Sequence, residues 1–276
     1  MTAWRAKRWL SSAALMLVVV VVAIPIAWMA LTSFKSNAEI GQEGTLLPAN
    51  WTIENYDRLF AQRYFGSYMR NTLLVCAASV FVSLVLGTLA AYSLARFRLW
   101  ARLERRLGFG ILTVRILPPL VIVVPIFLLA LQVGLINSRL GLVIVYTAFN
   151  VSFVVWMMES FFREIPVDLE EASMVDGSSR MTAFRRIVLP LPAPGLVATS
   201  IFAVIVTFNE FLMALVLTST PSAQTVPVGA ATLIGRISVD VGAMAAAGCV
   251  AAIPIVVFAI IVQRHLVRGL TLGAVK

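Results

Sequence analysis

Six long apolar runs organise the chain, near residues 10–31, 72–95, 109–131, 140–159, 195–218 and 242–263. Each is close to the ~20 residues a helix needs to cross the hydrocarbon core of a bilayer. The polar and charged residues gather between the runs. This pattern predicts an all-α membrane protein with about six transmembrane helices in a single domain, residues 1–276. The first run follows Arg5, Lys7 and Arg8 but has no small-residue cleavage site after it, so it is read as a retained anchor rather than a signal peptide.

Composition agrees with the pattern. The chain is 60% hydrophobic and only 13% charged, too apolar for a soluble domain of this length. The formal charge of +9 comes from short basic clusters between apolar runs, with no aromatic and basic interleaving along a soluble face, so nucleic acid is not an expected partner. If both termini are cytoplasmic, fifteen Lys and Arg residues fall in the inside segments, among them Arg96, Arg98, Arg163 and Arg180, against six outside. The positive-inside rule then sets the orientation. Cys76 and Cys249 lie within apolar runs, where a thiol behaves as a small hydrophobe, and no disulfide, metal site or catalytic group is expected.

A few polar groups interrupt the apolar runs: Arg115, Asn150, Asn209 and Glu210. An unpaired polar group in hydrocarbon is costly, so these are candidates for function. Arg115 is assigned a structural, snorkelling role, and its cost of about 3 kcal/mol is offset by its apolar neighbours. Pro118, Pro119 and Pro125 predict a kink in the same span. Asn150, Asn209 and Glu210 are placed on a wet substrate path, with Tyr146 and Trp156 as aromatic faces suited to a sugar ring.

The longest inside connection, residues 160–193, joins the fourth and fifth spans and reads as helix, glycine turn, helix. Pro166 suits a first helical turn, Asp168, Glu170 and Glu171 suit its positive end, and Gly177 can end it in the left-handed conformation. Ser178 or Ser179 can cap a second helix that puts Met181, Phe184 and Val188 on one face and stops at Pro190. Taken from pattern alone, such a segment is equally well a lipid-surface loop.

Glu171-Ala172-Ser173, then Asp176-Gly177, Phe184 and Leu189-Pro190, resembles the EAA loop of bacterial ATP-binding-cassette (ABC) importer permeases, with Ser173 in place of the second alanine. The ordered stretches Ser33-Phe34-Lys35, Trp51 to Tyr56, Arg70-Asn71-Thr72, Ala91 to Phe97, Asn209-Glu210-Phe211 and Gly269 to Lys276 extend the resemblance to the maltose-type, MalG-like carbohydrate permeases. The resemblance implies a multi-pass subunit of the bacterial inner membrane. It implies that Glu170, Glu171, Ala172, Ser173, Asp176, Gly177, Phe184 and Pro190 couple to a cytoplasmic ATPase. The implied partners are a second permease subunit, an ATPase homodimer, an extracytoplasmic substrate-binding protein and membrane lipid. The outer segment 219–241 can in relatives reach into the binding protein's cleft.

No Walker A sequence occurs, so ATP and Mg are expected on the partner ATPase and no cofactor on this chain. The rivals are an ABC permease for another polar solute, such as a glycerol phosphate ester, and an ion-coupled secondary transporter. The latter needs paired ionisable groups deep in the membrane, and only Glu210 qualifies. A membrane enzyme would need a motif such as HExxH or a nucleophile elbow, and neither is present.

Overall fold

In the computed structural model, residues 2–40, 46–97, 110, 117–235 and 239–273 are described, with side chains omitted for residues 2–8, 10 and 263–273. The described residues are almost wholly helical, with one isolated antiparallel bridge, Ile234 to Val239, and no strand. The helices are α1 (Thr2–Ser33), α2 (Asn37–Ile40), α3 (Glu54–Gln62), α4 (Phe65–Arg96), α5 (Pro119–Gln132), α6 (Arg139–Arg163), α7 (Asp168–Val175) and α8 (Arg180–Ala183). A π-helical turn (Phe184–Val188) leads to α9 (Ala193–Phe208), α10 (Leu212–Leu217), α11 (Val226–Ala231) and α12 (Val241–Gly273).

Among the described residues, four helical stretches are long and apolar enough to cross a membrane: Ser11–Ser33, Phe65–Arg96, Arg139–Arg163 and Val241–Val262. The number rises to five if the pair Arg180–Val188 and Ala193–Phe208, whose limbs meet at 81°, is one span. Residues 109 and 111–116 of the third predicted run lie outside the described residues, and its later part forms the 14 residues of α5, which begins at Pro119. Pro118 and Pro119 stand at the start of this helix, where a proline gives up an N–H that has no helical acceptor anyway, and Pro125 lies inside it. Arg115 lies outside the described residues. The fifth predicted run, 195–218, is broken at Asn209–Phe211.

The chain divides into two compact units, residues 1–66 with 229–254 and residues 67–228 with 255–276. In the first, Asn55 is fully buried and donates to the carbonyls of Ser33 (2.9 Å) and Lys35 (2.8 Å), so it receives the last carbonyls of α1. Its Oδ1 accepts from Arg58, which also reaches Asn37 (2.9 Å) and Asp240 (3.5 Å). Ser33 shares a hydrogen bond with the Tyr56 hydroxyl (2.8 Å), and burial pushes that phenol above its ordinary pKa. Gly242 lets α12 approach the Asn55 amide where any Cβ would collide.

The second unit is built on α4, α6 and α9. Gly87 brings α4 against α6, since a Cβ there would lie 2.6 Å from the Cβ of Val154. Residues 219–226, after α10, are hydrogen-bonded back onto this unit. Asn71 donates to the carbonyls of Pro221 (3.0 Å) and Gln224 (2.8 Å), and Thr72 Oγ1 accepts from the Val226 N–H (2.8 Å). Asn137, itself left-handed at φ 55°, accepts from the N–H groups of Ser219 (3.1 Å) and Thr220 (3.0 Å).

Candidate functional site

The 160–193 segment forms the predicted helix, turn and helix, with differences at both ends. Helix α7 begins at Asp168 with Val167 at the N-cap, so Pro166 precedes the helix instead of opening it. Asp176 ends α7, and Gly177 follows at φ +89°, a conformation that L side chains rarely adopt. Ser179 caps α8, accepting from the Thr182 N–H (3.3 Å). The second helix keeps α geometry for only four residues and widens to a π turn, where the Leu189 N–H donates to the Phe184 carbonyl (2.8 Å). Phe184 and Val188 are buried, while Met181 is 52% exposed.

Two adjacent glutamates of α7 take opposite environments. Glu171 is exposed, as are Ala172, Asp176 and Gly177, whereas Glu170 is only 3% exposed. Glu170 Oε1 accepts from Arg96 Nε (2.7 Å) and Oε2 accepts from the Tyr92 hydroxyl (2.9 Å). The other arm of Arg96 donates to the Ile165 carbonyl (2.9 Å). Both side chains of the ion pair are 4% exposed, and a charge at that depth is held only where its hydrogen bonds are satisfied. Around the pair, the Tyr92 ring meets Phe184 (4.5 Å) and Phe162 (5.8 Å), and Arg180 lies over the Phe97 ring (4.9 Å). Ser173 is half-buried and Pro190 exposed.

Inside the helical unit, α6 and α9 run antiparallel, their residue numbers rising on one as they fall on the other. The Tyr146 hydroxyl donates to Glu210 (2.6 Å), and the Asn150 amide donates to Thr207 Oγ1 (2.7 Å). Phe153 stacks at 4.8 Å on Phe202, Thr199 bonds Met158 Sδ (3.8 Å), and Gly195 lies against the Phe161 ring. Polar rungs at one end thus give way to apolar ones. Glu210 lies in the break between α9 and α10, and its carboxylate accepts from the N–H groups of Met213 (2.9 Å) and Ala214 (3.2 Å). Those are donors that the start of α10 would otherwise leave without acceptors. The span breaks here because the side chain supplies what the continuing backbone would have supplied.

A cavity of about 270 Å³ opens beside the second rung, lined by Asn150, Ser152, Phe149, Phe153 and Phe202 with Leu117, Pro119 and Ile122 of the α5 end. Of the residues assigned to a substrate path, Asn150 alone lines it. Tyr146 is buried one rung away on Glu210. Asn209 is exposed and its amide donates to the Ile205 carbonyl of its own helix (2.8 Å), while Trp156 is 51% exposed. Sequence reasoning missed Phe149, Phe153, Phe202 and Thr207 at the cavity rungs, and Tyr92 and Arg96 under α7. Tyr92 and Arg96 stood in the Ala91 to Phe97 stretch but carried no sign of what they hold.

Comparison with known proteins places this arrangement. The family model described as binding-protein-dependent transport system inner membrane component matches residues 83–272. The trehalose transport system permease protein SugB of Mycobacterium tuberculosis is 36% identical over 92% of this chain and 92% of the relative. The trehalose/maltose transport system permease protein MalG of Thermococcus litoralis is 32% identical over 98% of this chain and 97% of its own. A solved bacterial ABC transporter involved in the import of the acidic polysaccharide alginate superposes with a TM-score of 0.75 at 23% identity, covering 92% of this chain and 95% of that one. At that identity the superposition speaks for the fold, and the sequence matches speak for the family. The chain is a multi-pass inner-membrane transport component, not an enzyme, and belongs to the binding-protein-dependent transport system inner membrane component family, the permease subunits of ABC importers.

Proposed function

We propose that this chain forms half of a translocation path for a sugar or sugar derivative and is driven by an ATPase that docks on the outward face of residues 168–177. The single observation that carries the docking reading is the split of Glu170 from Glu171. One acid is spent inside the chain on fixing α7, and the exposed Glu171, Ala172, Asp176 and Gly177 are thereby held out as a rigid surface. The partners are a second permease subunit, an ATPase homodimer carrying ATP and Mg, a substrate-binding protein on the opposite side, and lipid along the outward apolar faces. The docking surface lies in the cytoplasm, in keeping with the basic asymmetry of the sequence.

The sugar reading is favoured by relatives named for trehalose, maltose and diacetylchitobiose transport. An amide beside three phenylalanine rings suits it too, since amides bond hydroxyls and ring faces cover the apolar face of a sugar. The test is uptake of labelled disaccharides by cells expressing the transporter with its partners, with unlabelled sugars and glycerol phosphate esters as competitors. Uptake that is saturable, competed by a disaccharide and lost when the ATPase's phosphate-binding lysine is replaced supports the reading. Competition by the phosphate ester alone overturns the sugar assignment.

A further inference from the structure

Helix α7 is joined to the rest of the chain at both ends by poor transmitters of force. Residues 164–167 separate it from α6 without helical structure, and on the other side Gly177, the π turn and an 81° bend precede α9. A displacement of α7 would be dissipated in these joints. The polar bonds from the segment to a continuous helix are instead lateral and go to the end of α4, while its contact with α6 is apolar, Phe184 packing on Phe162 at 6.3 Å. Arg96 and Tyr92 hold Glu170 of α7, the Tyr92 ring packs on Phe184, and Phe97 lies under Arg180 of α8.

Helix α4 suits the role of a lever. Its 32 residues contain no proline, whereas α1, α5 and α12 each have one inside. At 1.5 Å per residue it extends for roughly 48 Å. Its tie to α7 is a desolvated, two-pronged carboxylate contact with a guanidinium and a phenol, where charge-assisted bonds are short and directional. Arg96 adds a third prong to the Ile165 carbonyl, which fixes the joint ahead of α7 to the same point.

We propose that Tyr92, Arg96 and Phe97 are positioning residues that clamp both helices of the 168–188 segment to the end of α4, so that movement of the docking surface is passed laterally into α4 and not along the chain into α6 or α9. This rests on the reading of the exposed face of α7 as an ATPase dock. None of the three touches ATP, ATPase or sugar; each acts through Glu170, Phe184 or Arg180.

The experiment uses the complete transporter in nanodiscs, with ATPase hydrolysis measured with and without sugar-loaded binding protein. Tyr92→Phe removes one hydroxyl, and Arg96→Lys keeps the charge but cannot hold both Glu170 and Ile165 through the rigid fork. Both should retain the ATPase on purification, yet the stimulated-to-unstimulated ratio should fall roughly fivefold for Tyr92→Phe and roughly tenfold or more for Arg96→Lys. If Arg96→Lys fails to fold, Tyr92→Phe, which changes no packing volume, decides alone. Spin labels at the exposed Ser93 and Leu169 should give one narrow distance in both the nucleotide-free and ATP-trapped states, broadened by Tyr92→Phe. A normal ratio in the variants, or a label distance that changes between states in the unaltered clamp, overturns the proposal. Gly177→Asp serves as the control for the dock: loss of the ATPase there with normal ratios in the clamp variants defeats the clamp alone, while retained ATPase defeats the docking reading and the clamp with it.

Discussion

Two glutamates, Glu170 buried and Glu210 half-buried, mark the two regions that matter most, and they are satisfied in opposite ways. Glu170, under the exposed face of α7, meets a cation: Arg96 neutralises it and Tyr92 completes its bonding. Glu210, at the break between α9 and α10, meets no cation among the described residues and is held by two backbone N–H groups and the Tyr146 hydroxyl. The first contact joins two different helices through charge. The second repairs one interrupted helix through hydrogen bonds. The lesson is that an acid within the packing can serve as a rivet or as a cap, and its partners decide which.

The comparison predicts unequal costs of removal. Glu170→Ala leaves the Arg96 guanidinium buried without a counter-charge, a change that typically costs about 3–5 kcal/mol. We expect a large fall in the thermal-unfolding midpoint of the purified complex and reduced amounts in the membrane. Replacing both partners, as in Glu170→Met with Arg96→Leu, should restore much of that stability, and failure of the double variant to exceed Glu170→Ala would show that the charge is not the source of the cost.

Glu210→Ala strands no cation among the described residues, so its cost should be about 1–3 kcal/mol, the range for donors left without an acceptor. Assembly should persist while uptake falls, and Glu210→Gln, which retains a carbonyl acceptor, should recover part of the uptake. A cost for Glu210→Ala as large as that for Glu170→Ala would erase the distinction between cap and rivet.

Gly177 sharpens the comparison because it belongs to the docking region but has no contact at risk. A Cβ there meets nothing within 4 Å, so Gly177→Ala should cost only about 1 kcal/mol, arising from the left-handed backbone. Unfolding should shift slightly, while Gly177→Asp, similar in backbone cost, should lose ATPase association in a pull-down. The smallest effect is expected at Trp156, half-exposed on α6: Trp156→Ala should change stability by within about 0.5 kcal/mol and leave uptake unaltered. A clear loss of uptake there would return an aromatic platform to the outward face of α6.

Much of the fold was legible because spanning a bilayer imposes a long-wavelength signal. Runs near 10–31, 72–95, 140–159 and 242–263 all fall within long continuous helices, since a backbone in hydrocarbon has no alternative to bonding itself. The turn at Gly177 and the cap at Ser179 were also legible, because local backbone chemistry depends on the residue in place. The break at Asn209–Phe211 was not. Asn209 and Glu210 stood out as polar groups within an apolar run, but nothing local showed that the Glu210 side chain folds back on N–H groups three and four positions later.

Sequence by itself therefore determined the helical membrane class, the helix-turn-helix of the 160–193 segment and the resemblance that family comparison then established. Tertiary structure decided which of two adjacent glutamates faces inward, which of the polar residues in the spans borders a cavity, and that Tyr92 and Arg96 lie beneath α7. The reason is range. Hydropathy, caps and glycine turns act within a few residues, whereas Arg96 and Glu170 stand 74 positions apart and Asn150 and Thr207 57 apart. No local pattern encodes the facing of such pairs; helix packing alone brings them together.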